Sequence, residues 1–380
     1  MKNHTRTRIC HFASVHTTDD TRVFHRECVS MARYFDVHLI AIGKQSGLIH
    51  GVHVTAVPTP KTRLHRLLFT TWVVFLKALR VNARIYHIHD AELLPFGILL
   101  SLLGKKVIYD IHENTYEDIR HKPWIPRYIK FFASRIYRFT EWVASWYMHF
   151  ILVIAKPELA SCFRTRRFSI IQNYADITEL KPYRVNKRSA LNDNTLFYMG
   201  TVHDMYYNFN TVVEAIALLK KRGTRIHLKV AGFSRKYEQF DLPLLRAYDS
   251  VKNQIQFLGY QSPEDAYKHS MSCKLALCLK NQPAPILVSH ERKFFEYMAL
   301  GMPFICCDSH IYTDVLKKYK AGIAIDLSNA SALADTIVFA LSHPDKLDSM
   351  QNEGIRAAES EYNWESQQRI LAELYTSMIH

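Results

Sequence analysis

Long apolar runs are missing from this chain. Its most hydrophobic stretches, residues 67–79 and 93–103, fall short of the roughly 20 residues that cross a bilayer, so no membrane span is expected. The basic start Met-Lys-Asn-His-Thr-Arg-Thr-Arg leads into a strand-like segment broken by His and Cys, so no signal peptide is expected. Cys-x-x-Cys is absent, and seven cysteines, an odd number, do not make a disulfide framework. Reduced, structural cysteine in a cytosolic protein is the expectation. The first loop has no Gly-x-Gly-x-x-Gly, which removes the dinucleotide fingerprint. Internal repeats and low-complexity segments are absent too. Negative charge is in deficit: 35 Asp and Glu against 49 Lys and Arg give a net charge of +14 with His neutral. Such a balance favours an anionic partner, whether nucleic acid, acidic lipid or a phosphorylated substrate, and does not choose among them.

What is present is enough for two α/β domains. The chain has 380 residues, and its 48% hydrophobic and 22% charged content is ordinary for a globular protein. Residues 8–15 read as a strand, 16–22 as a polar loop, 23–34 as a helix and 36–42 as a second strand, a βαβ unit. An amphipathic helix over 64–80 precedes a strand that ends in His89-Asp90. An apolar helix over 92–103 precedes another that ends in His112-Glu113. Polar residues at the carboxyl ends of parallel strands face the crevice of an open α/β sheet. Asp90 or Glu113 could serve there as base for a hydroxyl. The two His/carboxylate pairs could also bind a metal, but no further ligand has characteristic spacing. A structural role for the histidines is the other alternative.

Residues 120–150 combine Arg120, Lys122, Arg127, Lys130, Arg135 and Arg138 with many aromatics, and no acid falls between Arg120 and Glu141. Phe132, Ile136, Phe139, Val143, Trp146 and Phe150 form one helical stripe, which is expected to pack at least in part into the core. Lys130, Ser134, Arg138, Glu141 and Ser145 form the opposite face. The surplus of cations and aromatics around Trp124, Arg127, Lys130, Arg135 and Arg138 suggests a membrane-surface patch. Single-stranded nucleic acid would use similar ingredients. The membrane is preferred, because no nucleic-acid-binding motif occurs elsewhere.

Strands near 151–154 and 168–172 close a first domain, residues 1–174. The polar segment 175–193 reads as a linker. A second domain, 194–360, opens with a strand ending in Gly200, whose freedom from a side chain would let backbone approach a phosphate. Further strands end at Gly232 and Gly259. The decisive stretch is 289–307. Ser289 is a plausible N-cap, Phe294, Phe295, Met298 and Ala299 give a short helix, and Gly301 and Pro303 stop it before a buried strand. The helix start favours an anion, and Arg292 and Lys293 add charge there. Glu296 lies one turn on. Cations for a diphosphate with a carboxylate for ribose hydroxyls would make a nucleotide-sugar site; a surface helix with a Lys-Glu pair is the plainer alternative.

Lys-Phe-Phe-Glu-Tyr-Met-Ala-Leu-Gly-Met-Pro-Phe-Ile, residues 293–305, resembles the C-terminal-domain signature of retaining, GT-B-fold glycosyltransferases of the bacterial polysaccharide group (glycosyl transferases group 1, family 4 type). The segments 15–42 and 85–113 resemble that group as well. The resemblance implies an α/β protein of two Rossmann-like βαβ domains facing a central cleft, with a C-terminal helix, 361–380, crossing back to the first domain. It implies that Glu296 grips the donor ribose, with Ser289, His290, Arg292 and Lys293 near the diphosphate. Gly200, Thr201, His203, Gly232 and Gly259 would complete the nucleotide side. His112 would touch the transferred sugar, and His16, Asp20, Arg22 and His89 would line the acceptor side, although Arg22 could equally cap or pair locally. The sequence departs from the group where Val288 replaces a second glutamate, where Glu291 replaces a proline-like position, and where Thr201 and Asn208 replace a phosphate-binding Arg and Lys. No obvious nucleophile remains, so same-face displacement is expected.

The implied reaction moves a sugar from a UDP or GDP donor to an acceptor hydroxyl, without metal or cofactor. The basic first domain points to a lipid-linked saccharide acceptor at the inner face of the plasma membrane, as in capsule, O-antigen or exopolysaccharide synthesis. Rival readings are a nucleotide-sugar epimerase of the same architecture and a non-catalytic binder of nucleic acid or another polyanion. Donor base, sugar and oligomeric state are not legible.

Overall fold

The computed structural model describes residues 6–112, 115–121, 126–152, 167–200, 202, 208–232, 247–280 and 291–379, apart from the side chains of Asp118 and Leu152. It divides into two compact units. The first is Met1–Asn173 with Trp364–His380, and the second is Tyr174–Asn363.

The first unit is built on an eight-stranded sheet of β1 (Arg8–Thr17), β2 (Asp36–Ile42), β3 (Gly47–Ile49), β4 (Val52–Val57), β5 (Ile85–Ile88), β6 (Lys106–Ile111), β7 (His149–Leu152) and β8 (Phe168–Ile170). The order is β3-β4-β2-β1-β5-β6-β7-β8, and every pairing is parallel except the β3–β4 hairpin. That hairpin has no counterpart in the sequence reading. β1 and β5 are buried along most of their length, because helices cover both faces of a parallel sheet. The order reverses between β1 and β5, so their carboxyl ends diverge and leave a crevice.

One face carries α1 (Thr21–Cys28 continuing as Val29–Met31) and α7 (Trp364–Ile379). Trp364 Nε1–H donates to Ser30 Oγ at 2.8 Å, and Leu371 and Tyr375 join Val23, Phe24 and Met31 in one core. The chain therefore returns to its first unit at the end. The other face carries α2 (Arg63–His65, Arg66–Thr70 and Thr71–Val81), α3 (Leu94–Leu102) and α4 (Arg127–Ala144). Gly97 of α3 lies against Ile88 and Met148, where a side chain would not fit without displacement.

The orientation of α4 reverses the expectation. Ser134 and Glu141 are buried, whereas Phe132, Ile136 and Phe139 are each more than 60% exposed. The polar face turns inward because it is satisfied there: Tyr137 Oη donates to Glu141 at 2.8 Å and lies 3.1 Å from Tyr109 Oη, while Arg138 donates to the second Glu141 oxygen at 3.1 Å. Val143 is half-buried, and only Phe150, in β7, reaches the core fully.

The second unit has a six-stranded, wholly parallel sheet of β9 (Thr195–Met199), β10 (His227–Ala231), β11 (Ile255–Gly259), β12 (Leu275–Cys278), β13 (Phe304–Cys307) and β14 (Gly322–Ile325). Its order is β11-β10-β9-β12-β13-β14, with the reversal between β9 and β12. Helix α5 (Phe209–Lys221) follows β9, and α6 (Arg292–Ala299) precedes β13.

Residues 175–193 are not a free linker; they are folded into the second unit. Ala175 bridges Asn363, and Arg188 is fully buried. Its guanidinium donates to the carbonyls of Gly301 (2.8 Å), Ser270 (2.9 Å), Cys273 (2.7 Å) and Leu300 (3.2 Å). Burial without a facing carboxylate pulls Arg188 down to about 10. It satisfies the last carbonyls of α6 and of the segment before β12, which would otherwise be orphans. Arg188→Met leaves those carbonyls unpaired and is expected to destabilise the protein by about 3 kcal/mol or more. Urea unfolding of the variant measures this, and an unchanged midpoint would mean that the segment is indeed a loose connection.

Candidate functional site

The reversal point of the first sheet is lined by a buried set of charges and imidazoles. Asp20 caps α1 by accepting from Arg22 N–H (2.9 Å) and Val23 N–H (2.8 Å), so this expected acceptor-side residue is engaged in starting the helix. The cap brings Arg22 inward. Its guanidinium donates to Asp110 at 3.0 Å and faces Glu27 at 3.0 Å, with all three side chains buried. Arg22 is thus paired with one carboxylate of its own helix and one from the distant strand β6. Burial opposes the ionised Asp110 carboxylate, and Arg22 overcomes it, holding the group well below its usual range. Burial pushes Glu27 up; Arg22 offsets this only in part, and the neighbouring Asp110 adds to the rise.

Asp90 follows β5 and has three donors: Ser14 N–H at 2.6 Å, Val15 N–H at 2.9 Å and His16 Nδ1 at 2.9 Å. Burial disfavours its charge, yet those bonds hold it at about 2. A carboxylate so stabilised is a weak base, and its visible role is to orient His16. Burial works against His16 protonation, and Asp90 prevails, raising it. With Nδ1–H given to Asp90, the Nε2 atom of His16 is left as the proton acceptor. Its ring lies 4.7 Å from that of His112. Glu113 lies outside the described residues.

His112 is one end of a hydrogen-bonded chain. His112 Nε2 meets His89 Nδ1 at 3.3 Å, His89 Nε2 meets His11 Nδ1 at 3.0 Å, and His11 Nε2 meets Tyr375 Oη at 2.9 Å. Tyr375 Oη also meets His87 Nδ1 at 2.7 Å. Burial keeps these imidazoles neutral: His11 and His87 lie well below the ordinary value, His89 is lowered, and His112 falls to about 3 against the pull of Asp110. A neutral imidazole has one donor and one acceptor, so the bonds along the chain must all run the same way. Asp110 selects the direction. Its Oδ2 lies 3.5 Å from His112 Nε2 and 4.0 Å from His87 Nε2, against 3.7 Å from His89 Nδ1. Protons on Nε2 throughout place two N–H groups and one lone pair toward the carboxylate; the reverse places two lone pairs there. His112 is therefore assigned as the Nε2–H tautomer with Nδ1 as its remaining acceptor.

Three groups among the described residues stand close enough to share a metal: His11, Glu27, His87 and His89; His89, Asp110 and His112; Asp36, His38 and His53. In the first two the imidazole nitrogens are largely committed to the chain above. In the third, Asp36 is also bonded to Arg8 at 3.2 Å.

In the second unit, Lys293 occupies the reversal point. Its Nζ lies against Gly200, 3.2 Å from Tyr198 Oη, 4.3 Å from the centre of that ring, and 3.2 Å from Glu291. Burial alone would lower this ammonium; Glu291 overrides it and holds it charged, well above the usual lysine value. Gly232 N–H donates to Gly259 O at 2.9 Å, and Gly200 N–H to Ala231 O at 2.9 Å. A Cβ on Gly232 would overlap the Gly200 carbonyl, so the ends of β9 and β10 approach one another only because Gly232 has no side chain. Glu296 pairs with Arg292, not Lys293: Arg292 Nε lies 2.7 Å from Oε1, and Tyr267 Oη donates to the same oxygen at 2.9 Å. Glu296 is buried. Ser289, His290, Thr201 and His203 lie outside the described residues.

Residues 181–357 match the family model described as glycosyl transferases group 1. The match lies within the second unit and makes that part of the chain similar to glycosyl transferases group 1. No curated protein gives a significant sequence match. Among solved structures, HepE of Anabaena in complex with UDP superposes with a TM-score of 0.74 at 12% identity, over 98% of this chain and 100% of that one. Sucrose-phosphate synthase of Thermosynechococcus elongatus gives 0.76 at 14%, over 98% and 99%. WaaG, a glycosyltransferase of lipopolysaccharide biosynthesis, gives 0.66 at 15%, over 97% and 99%. The chain thus has the GT-B fold.

Sequence reading of this glycosyltransferase named His16, His89, Asp90 and His112 but missed His11, Glu27, His87, Asp110 and Tyr375. A signal existed for some: Tyr-His-Ile-His and Asp-Ile-His place His87 with His89, and Asp110 with His112, on one face by the period of two. Nothing local points to Tyr375 or Glu27.

Four imidazoles with depressed folded values, against an unfolded value of roughly 6.5, make stability pH-dependent. Their contribution is complete above that pH and is lost as pH falls toward the folded values, by about 1.4 kcal/mol per pH unit for each group. Glu27, raised, opposes this with a single proton. Urea unfolding is therefore expected to weaken steadily from pH 7 to 5, and a flat profile would contradict neutral histidines. Long-range 1H–15N spectra at pH 7 should show His11, His89 and His112 as Nε2–H tautomers; a protonated Nδ1 on His112 would reverse the assigned direction.

Proposed function

We propose that this glycosyltransferase moves a sugar from a nucleoside-diphosphate donor, UDP or GDP, to the hydroxyl of a lipid-linked saccharide, with retention and without a metal. The supporting observation is Lys293: a buried ammonium pressed against a side-chain-free strand end, where the second sheet reverses. Preorganised positive charge at that point stabilises negative charge developing on a leaving diphosphate. Glu291 keeps the ammonium ionised until a phosphate competes for it. Glu296, steadied by Arg292 and Tyr267, serves the ribose. HepE has been seen with UDP and with UDP-glucose, which favours the same class of donor here.

In the first unit, His112 presents Nδ1 to a hydroxyl of the transferred sugar. With Asp90 held at about 2, acceptor deprotonation falls to the departing phosphate on the same face, assisted by His16 Nε2. Val288 stands where a second glutamate would offer a nucleophile, which favours same-face displacement. The cationic first unit supports the acceptor and the place of action, surface-polysaccharide assembly at the inner face of the plasma membrane; a likeness in fold to WaaG, named for lipopolysaccharide biosynthesis, is consistent with them.

Calorimetry with UDP, GDP and ADP tests the donor. One of them should bind, and Glu296→Gln, which keeps the Tyr267 bond, should weaken it about tenfold, or about 1.4 kcal/mol. His112→Ala should lower kcat and leave nucleotide affinity within about twofold. Donor consumption without acceptor would indicate an epimerase. No diphosphate binding, with steeply salt-dependent polyanion binding, would overturn the enzymatic reading.

A further inference from the structure

The outer face of the first unit carries an unusual surface. Helices α2, α3 and α4 cross the same side of the sheet, and Trp72 and Phe96 join the first two by a ring contact of 4.9 Å. Their inward residues, such as Val74, Phe75 and Leu100, are buried as expected. Their outward residues are apolar as well. Trp72 (52%), Leu76 (49%), Leu102 (64%), Phe132 (62%), Ile136 (66%) and Phe139 (63%) are all exposed. A helix apolar on both sides of its axis is one whose outer face also meets an apolar phase.

The charge around these residues has one sign. Between Lys61 and Val81 there are five Lys and Arg and no acid, and no acid falls between Arg120 and Glu141. Among the described side chains, the acids beside these helices are engaged: Glu92 pairs with Arg66 at 2.9 Å, Glu141 is buried against Arg138 and Tyr137, and Glu117, on the helix Thr115–His121 packed against α4, pairs with Arg120 at 3.2 Å. Arg135 lies over the Phe131 ring at 4.2 Å, its stem covering apolar surface and its head at the rim. No described helix is long and apolar enough to cross a membrane.

We infer that the α2–α3–α4 face docks on an anionic lipid bilayer, lying in the interface with its aromatic and aliphatic side chains among the acyl chains and its Lys and Arg among the headgroups. Aromatic anchors ringed by cations, with no acids among them, match a surface that is apolar beneath and negative above. A second copy of this chain would meet the same positive charge across the contact. The inference deepens the lipid-linked-acceptor reading and rests on it for its purpose, not for its geometry. The sequence reading placed a membrane patch within residues 120–150, at Trp124, which lies outside the described residues, and at Arg127, Lys130, Arg135 and Arg138 of α4; α2 contributes as much.

The test is sedimentation with vesicles of neutral phosphatidylcholine, with and without one-third anionic phosphatidylglycerol, in the absence of nucleotide. The full chain should partition onto anionic vesicles at least tenfold more strongly than onto neutral ones. Trp72→Ser/Leu76→Ser and, separately, Phe132→Ser/Ile136→Ser should each reduce binding about tenfold, because both helices belong to one face. Arg127→Glu/Lys130→Glu/Arg135→Glu should abolish the preference for anionic lipid. These side chains are exposed, apart from the half-buried Lys130, and circular dichroism confirms folding. Equal binding by wild type and variants overturns the inference. So does loss with only the α4 variants, or a solution dimer that the serine variants dissociate. Nucleotide calorimetry on the same proteins separates the two readings, since donor binding resides in the other unit.

Discussion

A single buried ion pair organises the first unit. Asp110 sits at the carboxyl end of a central strand with no exposure to water, and a carboxylate there is tolerable only against a fixed positive charge. Arg22 supplies it, and Asp20 directs Arg22 by capping the helix on which it rides. Once Asp110 is anionic, the surrounding imidazoles are constrained: burial keeps them neutral, and the carboxylate sets which nitrogen carries each proton. The tautomer of His112 thus descends from an arginine that lies 90 positions earlier.

The second unit uses charge in the same way over a shorter distance. Lys293 is kept ionised by Glu291, two residues away, and brought to the strand ends by a backbone without side chains. In both sheets the charged group stands where strand order reverses, because that is where neighbouring crossovers leave on opposite faces and the chain leaves space. The two units differ in what the charge is for. In the first it arranges neutral donors and acceptors; in the second it is itself the group that we propose meets a phosphate.

Helix α4 and the segment 175–193 show how a pattern can be read correctly and placed wrongly. The apolar stripe of α4 exists, but its polar side carries Tyr137, Arg138 and Glu141, which satisfy one another and Tyr109 inside the protein, so the stripe is the side left outward. The polar composition of 175–193 likewise suggests a linker, yet Arg188 alone ties it to four carbonyls. Polar residues with complete partners are as much interior as leucine.

The sequence by itself determined the alternation of strands and helices, the two-unit α/β class, the glycine-ended strands and the helix 292–299, because each rests on local periodicity or on backbone conformations that only certain residues permit. It also placed His16, Asp90 and His112 at strand ends, where chain order alone implies a crevice. Only the tertiary structure decided that Asp90 is bonded to His16 and two backbone N–H groups, that Glu296 belongs with Arg292 and Tyr267, that Tyr375 closes a chain of histidines begun at His112, and which side of α4 meets solvent. Each of those depends on a partner far away in sequence, and hydrogen bonds and ion pairs select partners by distance in space, which no local pattern encodes.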